Sequence, residues 1–289
     1  MTLSSFDVAA LLAKALVYAA TLGASGGTWF LGYSGAHLQG SQRAHLRRLI
    51  YWLAAIAALA TALRISLLSG SMSDELSGMF DRAFATMILA AGEGSASVVR
   101  LVGLALMVVA LAARQRGTAL AFTGAALAAT SFAWIGHTRA LHTILPAALL
   151  ALHLLCAAFW LGALYPLYYV AGGGEPAHVA QLADRFGRIA LILVSALIAA
   201  GVALLTALLP SFDALWQSSY GRLVLIKMSL VALLLAAAGF NRLTLTPRLL
   251  RNDTRAVALL RHSIRGEMLL GFCILLVTAL FTSATGPEA

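Results

Sequence analysis

The stretch Ser131–Tyr169, SFAWIGHTRALHTILPAALLALHLLCAAFWLGALYPLYY, decides the fold class. It is an apolar run long enough to cross a bilayer, and it carries His137, His142, His153, Cys156 and Trp160 at its mouth or along its length. An ionisable side chain at membrane depth signals function, because polar groups are costly there. Read as a helix from about Leu141, the segment places His153 eleven residues after His142, about 1100° of rotation, so both lie on one stripe. They do not share an ion. Eleven residues rise roughly 16 Å, against metal–nitrogen bonds of roughly 2 Å. The stripe therefore offers stations at two depths. His137 and His142 can meet at the mouth, and His153 sits deep.

Composition extends the membrane setting to the whole chain. Of its 289 residues, 61% are hydrophobic and 11% charged, with a mean hydropathy of +0.89, whereas soluble domains carry about 25% charged residues. The net charge of +9 does not indicate nucleic acid. The basic residues sit in short connections between apolar runs instead of forming one stripe. The two cysteines, Cys156 and Cys273, both fall inside apolar runs, so neither a disulfide framework nor a structural zinc motif is implied. The N-terminal stretch lacks a basic leader and carries Asp7, and reads as a retained first span.

An all-α, polytopic membrane protein of eight spans is expected, at about Val8–Phe30, Ile50–Leu68, Val98–Ala113, Leu120–Ile135, Leu141–Tyr169, Ile189–Leu209, Leu223–Asn241 and Glu267–Thr282. When the connections are assigned to alternate sides, thirteen of the 20 basic residues fall on one side: Arg43, Arg47, Arg48, Arg114, Arg116, Arg185, Arg188 and six more from Arg242 to Arg265. The opposite loops hold Arg82, Arg139 and Arg222. The positive-inside rule makes the first set cytoplasmic and puts both termini outside. His137, Arg139 and His142 then lie at the outer mouth, with Asp7, Asp74, Glu75, Asp81, Glu93 and Asp213 on the same side as a rim or as ordinary loop charge.

Between the second and third spans, apolar residues recur at Leu76, Met79, Phe80, Ala83, Phe84, Met87 and Ile88. Spacing of three and four predicts a short amphipathic helix on the outer membrane surface. Met72, Met79 and Met87 can either pack or offer thioethers to a soft metal. Lys14, Arg64 and Arg100 are read as snorkelling from outer span ends. Lys227, one turn inside its span, either snorkels or pairs with a carboxylate. Glu267 is read as the first residue of the last span, where the helix dipole favours a carboxylate. The arginine-rich connection from Arg242 to Arg265 sets topology and touches anionic lipid. No phosphate-binding glycine loop, paired catalytic carboxylates or Ser/His/Asp arrangement is present to suggest an enzyme.

An ordered series of short motifs then acquires meaning: His153-Leu154-Leu155 leading to Phe159-Trp160-Leu161-Gly162-Ala163-Leu164, Asp213-Ala214-Leu215-Trp216, Ser219-Tyr220-Gly221-Arg222-Leu223, Lys227, Asn241-Arg242-Leu243, Thr246-Pro247-Arg248-Leu249, Leu260-Arg261, Glu267 and Leu270-Gly271. The series resembles the CopD or PcoD family of bacterial inner-membrane copper-resistance proteins, over most of residues 135–285. The resemblance implies an eight-span protein of the inner membrane that moves copper with a periplasmic copper-binding partner of the CopC type. Some relatives carry that partner on the same chain; here a separate one is expected.

Imidazole, thiolate and thioether groups suit copper, Cu(I) more than Cu(II). Each histidine is either a metal ligand or a hydrogen-bonded structural residue. His153, Cys273 and Met107 fall at similar distances from the outer ends of their spans, within roughly 5 Å at 1.5 Å per residue. A mid-membrane copper site is therefore expected from His153 and Cys156, completed by Cys273 or Met107. Both cysteines can equally be small hydrophobes in a packed bundle, and Trp160 is a packing residue whose indole only donates. Two other readings use the same residues. A transmembrane b-type haem protein requires facing histidines at equal depth, and a non-transporting docking or assembly protein for a copper chaperone needs only the mouth histidines.

Overall fold

The computed structural model describes residues 4–73, 75–113, 117–134, 144–208 and 213–284. Within these the chain is helical: α1 (Ser5–Ser34), α2 (Gly40–Ser73), α3 (Arg82–Ala90), α4 (Gly92–Ala112), α5 (Thr118–Thr130), α6 (Ile144–Ala171), α7 (Pro176–Leu208), α8 (Ala214–Gln217), α9 (Ser219–Phe240), α10 (Thr246–Leu250) and α11 (Thr254–Ala284). Among the described residues, seven helical segments are long and apolar enough to cross a membrane. The remaining expected span, Leu120–Ile135, is represented by a shorter apolar helix over Thr118–Ala133. Its sixteen residues rise about 24 Å, less than the roughly 30 Å hydrocarbon core.

Several helices outrun the apolar stretches that signal them. α2 begins ten residues before Ile50, α7 thirteen before Ile189, and α11 thirteen before Glu267. The overhangs are helical because they bury one face: Leu46 in α2, Val179 and Leu182 in α7, and Leu260 and Ile264 in α11 all join the core. Local chemistry starts the last of them. Asn252 turns the chain with φ of 60°, and the Asp253 carboxylate accepts from the Arg255 N–H at 3.0 Å, as an N-cap does. Arg248 closes on Asp253 at 2.8 Å and holds its carboxyl below the usual carboxylate range.

The expected amphipathic helix is broken in two. Leu76–Phe80 is a 3-10 turn, and the α-helix starts only at Arg82. Asp81 makes the break: its backbone is extended and its side chain accepts from the Ala83 N–H at 2.7 Å. Met79 packs on Ala10, Ala13 and Leu67 near Phe6, while Leu76, Phe80 and Met87 stay exposed.

α1, α2, α4 and α5 form one group, and α6, α7, α9 and α11 a second. α1 and α6 make the seam between them. Close approach there requires glycine: a Cβ on Gly26 would sit 1.8 Å from the Ala158 carbonyl oxygen, and one on Gly162 would sit 2.4 Å from the Gly26 Cα. Small residues at such a crossing let backbones touch, the main source of attraction between helices in lipid. Gly103 and Gly124 bring α4 and α5 together in the same way.

Lys14, Arg64 and Arg100 do not snorkel; all three turn inward and are buried. Helix rotation puts them there, which residue spacing alone does not reveal. Arg64 pairs with Glu93 of α4. Arg100, the most buried of the three, donates from Nε to Ser131 at 3.2 Å and from Nη1 to Thr61 at 3.3 Å. Its guanidinium lies 4.3 Å from the Phe132 ring centre, a cation–π contact. Lys14 Nζ donates to the Thr282 carbonyl at 3.0 Å and the Ser283 hydroxyl at 2.9 Å on α11.

Candidate functional site

His153, Cys156 and Trp160 stand at i, i+3 and i+7 on α6, which sets them on one face. That face turns toward α7, α9 and α11. A Cβ on Gly201 of α7 would lie 3.5 Å from His153 Cε1 and Nδ1, so the absence of a side chain there makes room for the imidazole. The ring thus lies against α7. The Leu197 backbone approaches it and the Lys227 ammonium lies within its field, while Nδ1 is buried without a hydrogen-bond partner. Lys227 reaches toward the end of α11, with Nζ 5.3 Å from the Phe281 ring centre. No ion pair joins it to a carboxylate among the described residues.

Two turns along the same face, Trp160 opens onto a cavity of about 200 Å³ between α6, α7, α9 and α11. Apolar side chains form most of its wall. Its polar groups are Trp160, Asn241, Arg242, Thr246 and Glu267. Glu267 is not the first residue of its helix, as its place at the head of an apolar run suggests. α11 starts at Thr254, which leaves the carboxyl mid-helix and 3% exposed, beyond the reach of the helix dipole, which fades after the first turn. Its stabilising contact is the Asn241 amide, which donates to Oε1. The Trp160 indole faces the same carboxyl without forming a well-aligned hydrogen bond, and Asn241 Oδ1 and Arg242 Nη1 are also left unpartnered.

The backbone beside this cavity is equally local in origin. Pro247 has no N–H, and its ring crowds the carbonyl four residues back. Ahead of it, Asn241–Leu245 widens into a π-helical turn, closed by the Thr246 N–H donating to the Asn241 carbonyl. The Thr246 hydroxyl adds a second bond to that oxygen at 3.0 Å. Inserted π turns recur at functional sites, and here the turn aims Asn241 at Glu267.

Other expected ligands are not gathered here. His137 and His142 lie outside the described residues. Met107 is fully buried on α4, where its backbone meets Gly124 of α5. Cys156 is buried beside His153, but Cys273 lies two residues beyond Gly271, whose face meets Leu161 of α6. A two-residue step is about 200° of helix rotation, so Cys273 turns away from α6. Among the described residues, no group of three or more His, Cys, Asp or Glu forms a metal cluster. Nor do the described histidines supply the facing pair a haem needs. His37 bonds Arg185, His45 stacks on Tyr169 at 3.9 Å, and His178 and His262 sit near the start of α7 and α11. All four are at the end of the bundle away from His153.

Asn241, Arg242 and Thr246 join the cavity beyond the residues expected from the sequence, although they stand in the motif series that includes Trp160 and Glu267. A second overlooked group lies at that far end of α6. His45 Nε2 is 3.1 Å from the Tyr165 hydroxyl, and Arg265 and Arg261 gather on Tyr168. The three tyrosines close the quoted stretch, where their spacing already put two of them four residues apart.

Comparison with known proteins follows the same division of the chain. Residues 5–145 match the family described as copper resistance protein D-like, N-terminal domain. Residues 180–281 match copper resistance protein D. The inner membrane protein YebZ of Escherichia coli (strain K12) is 30% identical over 136 residues, which cover 46% of this chain and 47% of that protein. The matched region thus spans about half the length of that relative. No solved structure matches the chain closely enough to extend the comparison. With both parts of its membrane bundle matched by models of the same family, the chain belongs to the copper resistance protein D family.

Proposed function

We propose that this protein resides in the bacterial inner membrane and moves copper ions across it through the second helix group, with His153 as the deep station. The observation that carries the reading is an imidazole held between α6 and α7, with Nδ1 buried beside the Leu197 backbone and without a well-aligned hydrogen bond, a nitrogen of a type that suits copper. Neutral imidazole favours Cu(I) when a sulfur is at hand, and Cys156 lies one turn away on the same face. His137 and His142 form the entry at the outer mouth, where a periplasmic copper-binding protein of the CopC type delivers or collects the ion. The bundle crosses the bilayer eight times, with Thr118–Ala133 as the short crossing, and both termini face the periplasm, as the arginine distribution supports. The arginine-rich cytoplasmic overhangs contact anionic lipid.

The decisive experiment is copper uptake by sealed proteoliposomes, comparing wild type with His153→Ala and with His137→Ala/His142→Ala. His153→Ala abolishes flux and leaves the protein folded. The mouth variant loses copper binding at the outer surface. Flux unaltered in His153→Ala refutes the deep station. Absence of flux in the wild type, with copper still bound at the mouth, makes the protein a docking component instead of a permease.

A further inference from the structure

We propose that Glu267 is a proton-exchange site, a carboxyl that takes up and releases a proton through the cavity it shares with Asn241, Trp160 and Arg242. The proposal does not depend on copper transport. It starts from a mismatch: a carboxyl buried inside the helix bundle accepts from the Asn241 amide, faces the Trp160 indole and takes part in no ion pair among the described residues. A structural carboxylate at such a depth is expected to have a cation or several donors. Around it, Asn241 Oδ1 and Arg242 Nη1 are buried without a hydrogen-bond partner, and the Trp160 indole N–H facing the carboxyl lacks a well-aligned one. Trp160 and Asn241 are themselves more than nine-tenths buried.

That surplus fits a group that exists in two protonation states. As a carboxylate, Glu267 accepts from Asn241 Nδ2, and its other oxygen faces the indole. As an acid it gains an O–H that needs an acceptor. Asn241 supplies one when its amide turns over, because one end of the side chain donates and the other accepts. The proton comes from water and returns to water. A space of about 200 Å³ holds several water molecules, each occupying about 30 Å³ in the liquid.

The charged groups around Glu267 are few. Arg242 lines the same cavity from the π-helical turn, α6 contributes the indole, and α7 contributes apolar side chains and Gly187. Arg248 on α10 is engaged by Asp253. From α1, Lys14 meets α11 only at its far end. Copper is the wrong occupant for this pocket. Its polar lining has neither imidazole nor sulfur, and a lone carboxylate is a hard ligand.

The test is infrared difference spectroscopy on the full chain in lipid, between acid and alkaline pH, with indole emission followed over the same range. Wild type shows a carboxylic-acid band that appears as pH falls and shifts in heavy water, together with a change in emission. Glu267→Gln loses that band and the linked emission change while keeping its helical content. Glu267→Asp retains an acid band at a displaced midpoint, and Asn241→Ala also displaces the midpoint. Identical difference bands in wild type and Glu267→Gln overturn the proposal, as does a Glu267→Asp protein that folds and shows no band. Because no readout involves copper, failure here leaves the transport reading standing, and failed copper flux leaves this site standing.

Discussion

In the first group of helices Lys14, Arg64 and Arg100 are buried with one carboxylate, Glu93, beside them, and each cation has a partner, that of Lys14 lying on α11 of the second group. The second holds a half-buried imidazole, a buried indole and a buried carboxyl, and leaves an atom of the first two without a well-aligned partner. Unpartnered atoms occur in the first group too, at the hydroxyls of Thr21, Ser25 and Ser97 and at Nε of Arg47 and Arg64, although each of its three buried cations has at least one partner. A metal cation entering between α1, α2 and α4 meets net positive charge at low dielectric, where repulsion is strong. Between α6, α7, α9 and α11 the same ion meets the His153 imidazole, with the Lys227 ammonium in its field, and a cavity lined by both Glu267 and Arg242. Both groups are built of apolar helices, and they differ in how their polar side chains are engaged.

The contrast predicts different costs for removing a carboxylate. Glu93→Ala strands Arg64 and is expected to lower stability by about 3–5 kcal/mol, the cost of breaking a largely buried ion pair. Thermal unfolding in detergent measures it, and replacing both partners by apolar residues should recover most of the loss. Arg100→Met is expected to cost less, up to about 1.5 kcal/mol, the scale of a net hydrogen bond. The reason is that Thr61 and Ser131 already bond carbonyls of their own helical turns, Ala57 and Ala128, so no polar group is orphaned. An equal loss in the two variants would mean that the cluster is not organised around the Arg64–Glu93 pair.

In the second group the losses are smaller. Glu267→Gln is expected to change stability by under about 1 kcal/mol, since the amide at Asn241 retains an acceptor and only charge is removed. Lys227→Met is expected to stay within about 0.5 kcal/mol, because the lysine has no carboxylate partner among the described residues to strand. A loss at Glu267 as large as that at Glu93, in the same unfolding assay, would erase the distinction between the two groups.

The long spans were legible in the sequence because hydrocarbon thickness sets a length that apolar runs reveal directly. Where helices continue past those runs, the signal was different in kind. Asn252-Asp253-Thr254 announces a helix start thirteen residues before Glu267, yet the apolar run invites a start at Glu267 itself. That His153 and Cys156 stand one turn apart on one face follows from helical spacing alone; Trp160, which shares it, reads from the sequence only as packing. What that face meets does not follow from spacing: Gly201, Asn241 and Glu267 come from elements whose rotation depends on packing at Gly26, Gly162 and Gly271. The break at Asp81 was visible as a capping residue, and the three-and-four spacing of its neighbours concealed it.

The bonds from Lys14 to Thr282 and Ser283 span 268 and 269 residues, which bears on how the protein is made. α1 leaves the ribosome well before α11 and must enter the bilayer with an ammonium whose partners have not yet been synthesised. A single lysine raises the insertion free energy of a helix by about 2.5–3.5 kcal/mol at the bilayer centre and by less near an interface. The apolar remainder of α1 has to outweigh that increment alone. Until α11 arrives, Lys14 must find substitutes in water, headgroups or the insertion machinery, so α11 completes the environment of α1.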